Sequence, residues 1–417
     1  MTAANSHTPK IRFPEFNGDW HQKKGGNAFK SRRARGEEGL PLYSVTIDRG
    51  MVRRDSLDRE FASNATDESN LRAEKDDLVY NMMRMWQGAV GRAPEECMVS
   101  PAYVVLAPKP ETSTEFFEHW FKRARSIYLM WAYSYGLTKD RLRLYFPDFA
   151  RVPMALPNAD EQRRIGVFLG TVESRVKVLR DRLEALQRYK TGMMQRLFSK
   201  ELRFKHDNGT AFPDWEERIV GSVFDWFGTN SLSRDMLTFE AGEVQNIHYG
   251  DIHGKFSARF FQSTAAAPFI KPHAMPQPVR DELFCQPGDL VIADASEDYA
   301  DIGKAIEIIE VAPQSLVAGL HTHLARPKAG QFVLGFAGYL FQTWALRIQI
   351  MRIAQGISVL GISKPGLAQL KLPVPHLDEQ RKIADFLSAL DDKIAAVSAQ
   401  IDQTQAFKNG LLQQMFV

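Results

Sequence analysis

The stretch Pro157–Val176, PNADEQRRIGVFLGTVESRV, returns without a gap as Pro375–Ile394, PHLDEQRKIADFLSALDDKI. Extended to Ser199 and Val417, the two copies share 13 identities in 43 positions. A repeat of this length sets the number of structural units, so it is read before any single element. In the first copy Ile165, Leu169, Val172, Val176, Leu179 and Leu183 are apolar at alternating steps of four and three, with Met193 further on. In the second copy Ile383, Leu387, Leu390, Ile394, Val397 and Ile401 do the same, with Leu411 further on. That spacing is the seam of a coiled coil, and the intervening positions are mostly polar, as an exposed face requires. Pro157 and Pro375 stop the preceding strand. Asp160 and Asp378 stand where N-caps are expected, and Glu161 and Glu379 favour the first helical turn.

Two equal helices in one chain pair most simply with each other, antiparallel, as a rod of roughly 50 Å. The same seam would also serve a coiled coil between two chains. Gly192 and Gly410 occupy the same place in both copies. Glycine there costs each helix about 1 kcal/mol against alanine. Its recurrence predicts close packing where the helices cross or where a partner docks.

The segments before each helix echo one another. IRFPEFNGDW (Ile11–Trp20) opens the first and LRFKHDNGTAFPDW (Leu202–Trp215) the second. DDLVYNMMRMWQGAVG (Asp76–Gly91) has the shape of GDLVIADASEDYADIG (Gly288–Gly303), a strand leading into a loop. A helical stretch follows, then a short strand into the repeat. The order of strands, helix, strand and long helix, used twice, predicts an α+β fold with two tandem duplicated domains. The expected boundaries are residues 1–155, helix 156–199, residues 200–373 and helix 374–417. The frame is kept and the polar loops differ, which predicts two related recognition tasks on different targets, since loops carry function.

The net charge of +3 says little, but its distribution is uneven. Trp20–Gly36 holds six Lys or Arg and no acid, and Val311–Leu377 contains no Asp or Glu. A carboxylate-free surface suits a polyanion, although a solvated basic face has the same composition. With Cys97 and Cys285 the only cysteines, a disulfide framework or cysteine-rich zinc site is not expected, and each reads as a small core residue. There is no long apolar run or apolar leader, so the expected place is the cytoplasm, away from any membrane.

No P-loop, dinucleotide-binding, H-E-x-x-H or nucleophile-elbow motif is present. His321 and His323 alternate on one strand face, the spacing of a metal pair, but no third ligand follows. Asp294, Glu297, Asp298 and Asp301 invite the alternative of a self-contained metal-dependent nuclease built on the 294–304 loop. The first segment has no such cluster. The chain therefore reads as a binder with no catalytic residues and no cofactor or metal of its own.

The doubled P-x-x-D-E-Q-R-[RK]-I-x-x-F-L, each copy ending in MMQRLF or LLQQMF, resembles the two conserved regions of the DNA specificity subunit of type I restriction-modification systems. IRFPEF…DW, VYNMMR, VSPAY and GDLVIADASED are similar to that family's target-recognition domains. In the first copy Ala159 precedes the acid where an apolar residue such as Leu377 is more usual. The resemblance implies a non-catalytic subunit that recognises a bipartite double-stranded DNA target, one domain per half. It implies that the paired helices set the gap. It also implies two modification (methyltransferase) subunits docked on the helices, working with S-adenosylmethionine on adenine, and restriction (translocase/nuclease) subunits working with ATP and Mg²⁺.

Reading bases in a major groove needs polar side chains at loop tips. The candidates in the first domain are Ser44, Asn81, Arg84, Trp86, Thr138, Lys139 and Arg141. In the second they are His248, Tyr249, Asp251, Ser296, Glu297, His321, His323, Ser358 and Lys364. YGLTKDR and QGISVLG occupy the same place before the final strand and read as equivalent DNA-facing loops. Arg141 and Arg143 equally suit phosphates. Trp120, Trp131 and Trp344 are expected in the core, as is Trp86 unless it reaches DNA. The apolar seam, with Gly192, Met193, Gly410 and Leu411, is the expected docking face for partners.

Overall fold

The computed structural model of the chain describes residues 8–56, 67–138, 141–274 and 279–417. It divides into two compact units, residues 1–182 with 397–417, and residues 183–396. The repeat is helical in both copies: Ala159–Phe198 is one helix of 40 residues and Leu377–Gln414 one of 38. Each helix contributes to both units.

In the first unit the beginning of the first helix meets the end of the second. Ile165 and Leu169 share a core with Leu411, Met415 and Phe416, and Lys408 lies 3.0 Å from Glu173. In the second unit the roles reverse. Leu197 shares a core with Ile383, Leu387 and Leu390, and Lys190 lies 2.5 Å from Asp391. The helices therefore pair antiparallel within one chain. The seam is covered partly by the domains themselves, since Trp20, Phe116 and Phe117 belong to the first core and Trp215, Phe336 and Tyr339 to the second. Val176, Leu179 and Val397 are buried, while Val172, Leu183, Met193, Ile394 and Ile401 are half-buried.

Two expectations about the helices need correction. The caps are Asn158, whose side chain accepts from the Glu161 amide at 2.9 Å, and His376, whose ring nitrogen accepts from the Asp378 amide at 3.3 Å. Asp160 and Asp378 fall one or two positions inside, where they favour the helix dipole instead. Gly192 and Gly410 do not mark a tight crossing either, because a Cβ on either would meet open space.

Each unit closes on itself. The strand His21–Lys24 pairs antiparallel with Pro153–Leu156, which leads into the first helix, and Glu216–Ile219 pairs the same way with Lys371–Val374. The central sheet of the first unit runs Phe29–Arg32, Tyr103–Pro108, Leu78–Asn81, Val90–Arg92. Its counterpart runs Phe224–Phe227, Thr322–Pro327, Leu290–Ala293, Ala305–Glu310, with Arg259–Phe261 added in parallel at the edge. A second sheet, four-stranded in each unit, contains one parallel pair, Leu42–Thr46 with Cys97–Val99 and Gln245–Ile247 with Leu316–Ala318. The fold is α+β, duplicated in tandem.

The duplication is not literal. Asp77 and Asp289 begin equivalent strands, and both are buried. Asp77 receives the Nε of Arg32 at 2.6 Å, from an edge strand, whereas Asp289 receives Arg326 at 2.8 Å from the neighbouring strand. A buried carboxylate needs a cation, and either strand can supply one. Cys97 and Cys285 are buried free thiols. No helix among the described residues is long and apolar enough to cross a membrane.

Candidate nucleic-acid interface

The doubled D-E-Q is a joint. Glu161 is fully buried and accepts from Arg12 Nε and Nη2, both at 2.7 Å, and from Trp20 Nε1 at 3.4 Å. Glu379 repeats this with Arg203 Nε at 3.1 Å and Nη2 at 2.8 Å, and with Trp215 Nε1 at 2.9 Å. The bond to Glu161 raises the Arg12 pKa above its ordinary value, and the bond to Glu379 does the same for Arg203. Next along, Gln162 accepts from the Ser113 amide at 3.1 Å and donates to Pro157 O at 3.0 Å. Gln380 accepts from the Val333 amide at 2.9 Å and donates to Pro375 O at 3.0 Å. Glu thus ties the opening R-F…D-W segment of each domain to its helix. Gln ties in the loop ahead of the domain's own helical layer. The chain repeats these letters because two domains are anchored to two helices in one way.

The loops on these anchored frames differ. In the first unit Asn81 accepts from the Met83 amide at 3.0 Å, Trp86 Nε1 donates to Met83 O at 2.9 Å, and Met85 is fully buried. The loop is therefore tied to its own backbone and to the core, and Arg84 projects from it, exposed, with a side-chain bond to Gln87 at 3.2 Å. The amide of Leu144 donates to Met82 O at 2.9 Å, which brings the hairpin closed by Tyr135 and Arg143 alongside. Thr138, Arg141 and Arg143 are exposed on that hairpin. Lys139 lies outside the described residues. The helix Ala124–Ala132 packs against the 85–87 turn and carries exposed Tyr128 and Trp131, their rings 5.7 Å apart. The structure thus gathers Asn81, Arg84, Trp86, Thr138 and Arg141 in neighbouring segments. Ser44 sits on the second sheet of that unit, buried, with its hydroxyl accepting from Arg54 at 3.1 Å.

In the second unit the corresponding loops hold a ring cluster. Tyr249 lies 5.2 Å from His321, 4.7 Å from His248 and 6.0 Å from His253. His321 Nδ1 is 3.2 Å from Asp294 Oδ1 and the ring is exposed. The strand Ala295–Ser296 pairs with Leu360–Gly361, joining the acidic loop to the second hairpin, where Ser358 is exposed. Lys364 is half-buried and donates to Phe227 O at 3.0 Å.

Four candidates of this unit support the loops from within rather than facing bases. Asp251 has no exposed surface and pairs with Arg234 at 2.8 Å and Lys255 at 3.0 Å. Burial works to raise its pKa, but those two cations outweigh it and hold the carboxyl below its usual range. His323 is buried against Ile362 O at 3.1 Å, and burial depresses its basicity. Ser296 is buried and accepts from the Asp298 amide at 3.0 Å, and buried His248 accepts from the Gly250 amide at 3.2 Å. With Ser44 in the first unit, these side chains lack the surface that base reading needs. Tyr249, Glu297, His321 and Ser358 keep it.

Trp131 and Trp344 are exposed, contrary to a core assignment, while Trp120 is buried as expected. Their signal was present as aromatics in helices that hold Arg and no acid, a composition that suits nucleic acid better than a core. Two of the 294–304 carboxylates serve their own turn: Asp298 accepts from the Ala300 amide at 2.8 Å and Asp301 lies 3.9 Å from Lys304. Among the described residues no group of three or more His, Cys, Asp or Glu is placed to hold a metal ion.

Residues 214–404 match the family model described as the type I restriction modification DNA specificity domain. The chain is similar to the type I restriction enzyme MjaVIII specificity subunit of Methanocaldococcus jannaschii, 24% identical over 277 residues, covering 63% of this chain and 61% of that one. It is also similar to the putative MjaX specificity subunit of the same organism, 24% identical over 272 residues, covering 62% and 56%. The match spans less than two thirds of either relative's length. Among solved structures, an S subunit of a type I restriction-modification system from M. genitalium aligns with a TM-score of 0.60 at 14% identity, covering 98% of this chain and 99% of that one. A chain solved in work on complex assembly and conformational transition of the type I R-M system aligns with a TM-score of 0.52 at 16% identity, covering 96% and 98%.

Proposed function

We infer that this chain belongs to the DNA specificity family of type I restriction-modification systems and is a sequence-specific reader of double-stranded DNA, with one unit for each half of a split target. The observation that carries this reading is the pair of Arg–Glu–Trp joints. They hold two copies of one frame on paired helices while the loops above them differ in chemistry. A device built for one target would have no use for two frames with unrelated loops.

The chain itself supplies recognition and no chemistry. In the first unit Arg84, with Asn81 and Trp86 beside it, offers a fork suited to guanine on a loop held by its own hydrogen bonds. In the second, Glu297 accepts from cytosine amino groups, and Tyr249 and His321 present ring edges and faces. Arg141 and Arg143 contact phosphates, which fixes register without specifying bases. Each unit reads its half, and the helices that run through both units set the gap. Exposed apolar side chains on the helices, Val167, Val178, Tyr189 and Phe407, suit the docking of modification subunits. Those subunits would bring S-adenosylmethionine and adenine methylation, restriction subunits would bring ATP and Mg²⁺, and the complex would act in the cytoplasm.

The test is methylome sequencing of the source cell with and without this gene. Loss of N6-methyladenine at one bipartite motif is the expected result and names both half-sites. Methylation unchanged at every motif, in a strain shown to express the chain, would count against the reading.

A further inference from the structure

Leu137 and Ile357 are both wholly exposed, an unusual state for branched aliphatic side chains. They sit at the same place in the two units. Leu137 follows Gly136 in the hairpin closed by Tyr135 and Arg143, and Ile357 follows Gly356 in the hairpin closed by Gln355 and Gly361. The glycines are required by the geometry: a Cβ on Gly136 would lie 2.3 Å from Arg141 O, and one on Gly356 would lie 2.0 Å from Val359 O at a φ of +132°. The hairpins differ in length and share only that glycine and the leucine before the closing residue, Leu142 and Leu360, yet each holds an exposed aliphatic group right after its glycine. Val359, on the second hairpin, is exposed as well.

We propose that the two loops enter the major groove and that Leu137 and Ile357 each pack on a thymine methyl group, one in each half-site. This rests on the DNA-reading function above and assigns it an apolar component. The thymine methyl is the apolar feature that the major groove displays. The surroundings of the first hairpin favour DNA over a protein partner, since Arg141 and Arg143 are exposed on it. The second hairpin carries no acid of its own, and its strand Leu360–Gly361 pairs with Ala295–Ser296 of the acidic loop. If adenine is methylated in each half, each half also holds a thymine opposite it, so the methyl group is available in both.

The test uses the full chain with its modification subunits and duplexes carrying the motif that the methylome defines. Each thymine is replaced in turn by deoxyuridine, which removes only the methyl group. We expect one position in each half to weaken binding about fourfold, the worth of one buried methyl. Leu137→Ala abolishes that sensitivity in one half only, and Ile357→Ala in the other. Unchanged far-UV dichroism of the variants checks that they fold. Specific binding that ignores every substitution, or a uracil effect that persists in both variants, overturns the proposal and leaves the DNA-reading function standing. Variants that lose subunit assembly while the uracil effect survives would place the tips against protein and overturn it too. Absence of any sequence-specific binding overturns both.

Discussion

Glu161, with no surface of its own, is gripped by both donors of the Arg12 fork at 2.7 Å, across 149 residues of sequence. The contact is the first half of a matched set, since Arg203 and Glu379 make it again in the second unit.

Removing one partner leaves a buried charge alone, at a cost of about 3–5 kcal/mol. Arg12→Met strands the buried Glu161 and is therefore expected to destabilise the first unit by that order, and Arg203→Met the second by stranding Glu379. The paired change Arg12→Met with Glu161→Met should cost less than Arg12→Met, because no charge is stranded. Chemical denaturation of the full chain, followed by tryptophan fluorescence, measures all three. A double variant that loses more than the single one would mean the pair contributes net stability.

His119 gives the first unit an acid sensitivity. It is buried, and burial depresses its pKa to about 4 against the ordinary 6.5. The unfolded chain takes up a proton below pH 6.5 and the folded one does not, so its contribution is full above that value and is lost as pH falls towards 4. The loss totals about 3 kcal/mol over that window. His119→Gln should flatten this part of the stability profile. Parallel profiles for the parent and the variant would show that the ring titrates normally.

Gly192→Ala and Gly410→Ala should each raise helix stability by about 1 kcal/mol, since both sites open into free space. Melting of the isolated chain tests that directly. If a modification subunit presses on either glycine, the same change lowers co-purification of that subunit, and assembly measured beside melting separates the two effects.

Half-site reading divides between the units. Arg84→Ala should relax one half of the methylation motif by about 1–3 kcal/mol of discrimination and leave the other intact. Glu297→Ala should do the reverse. Relaxation of both halves by either change would mean that the side chain acts through assembly.

The duplication, the heptad seam and the α+β order were legible because each is a periodic or repeated signal carried by many residues. The joints were not. Glu161 in a first turn reads as a favourable dipole charge, and nothing local says that Arg12 will bury it. The caps misread for a related reason: Asp160 and Asn158 are both good capping residues, and the helix starts earlier than the acid implies. Burial separated the base-reading candidates. Asp251 and Glu297 have the same chemistry on paper, and only the packing of Arg234 and Lys255 removes one of them from the surface.

Leu411, Met415 and Phe416 complete the core around Trp20 and Phe116. They leave the ribosome long after the rest of that core. At about 5–20 residues per second, the residues from 200 to 417 take roughly 10–40 s to synthesise. Throughout that interval the first unit waits with an apolar notch facing water, and whatever fills it early competes with the chain's own last turns. Expression of this protein should therefore respond to chaperone supply and to translation speed in its second half more than in its first.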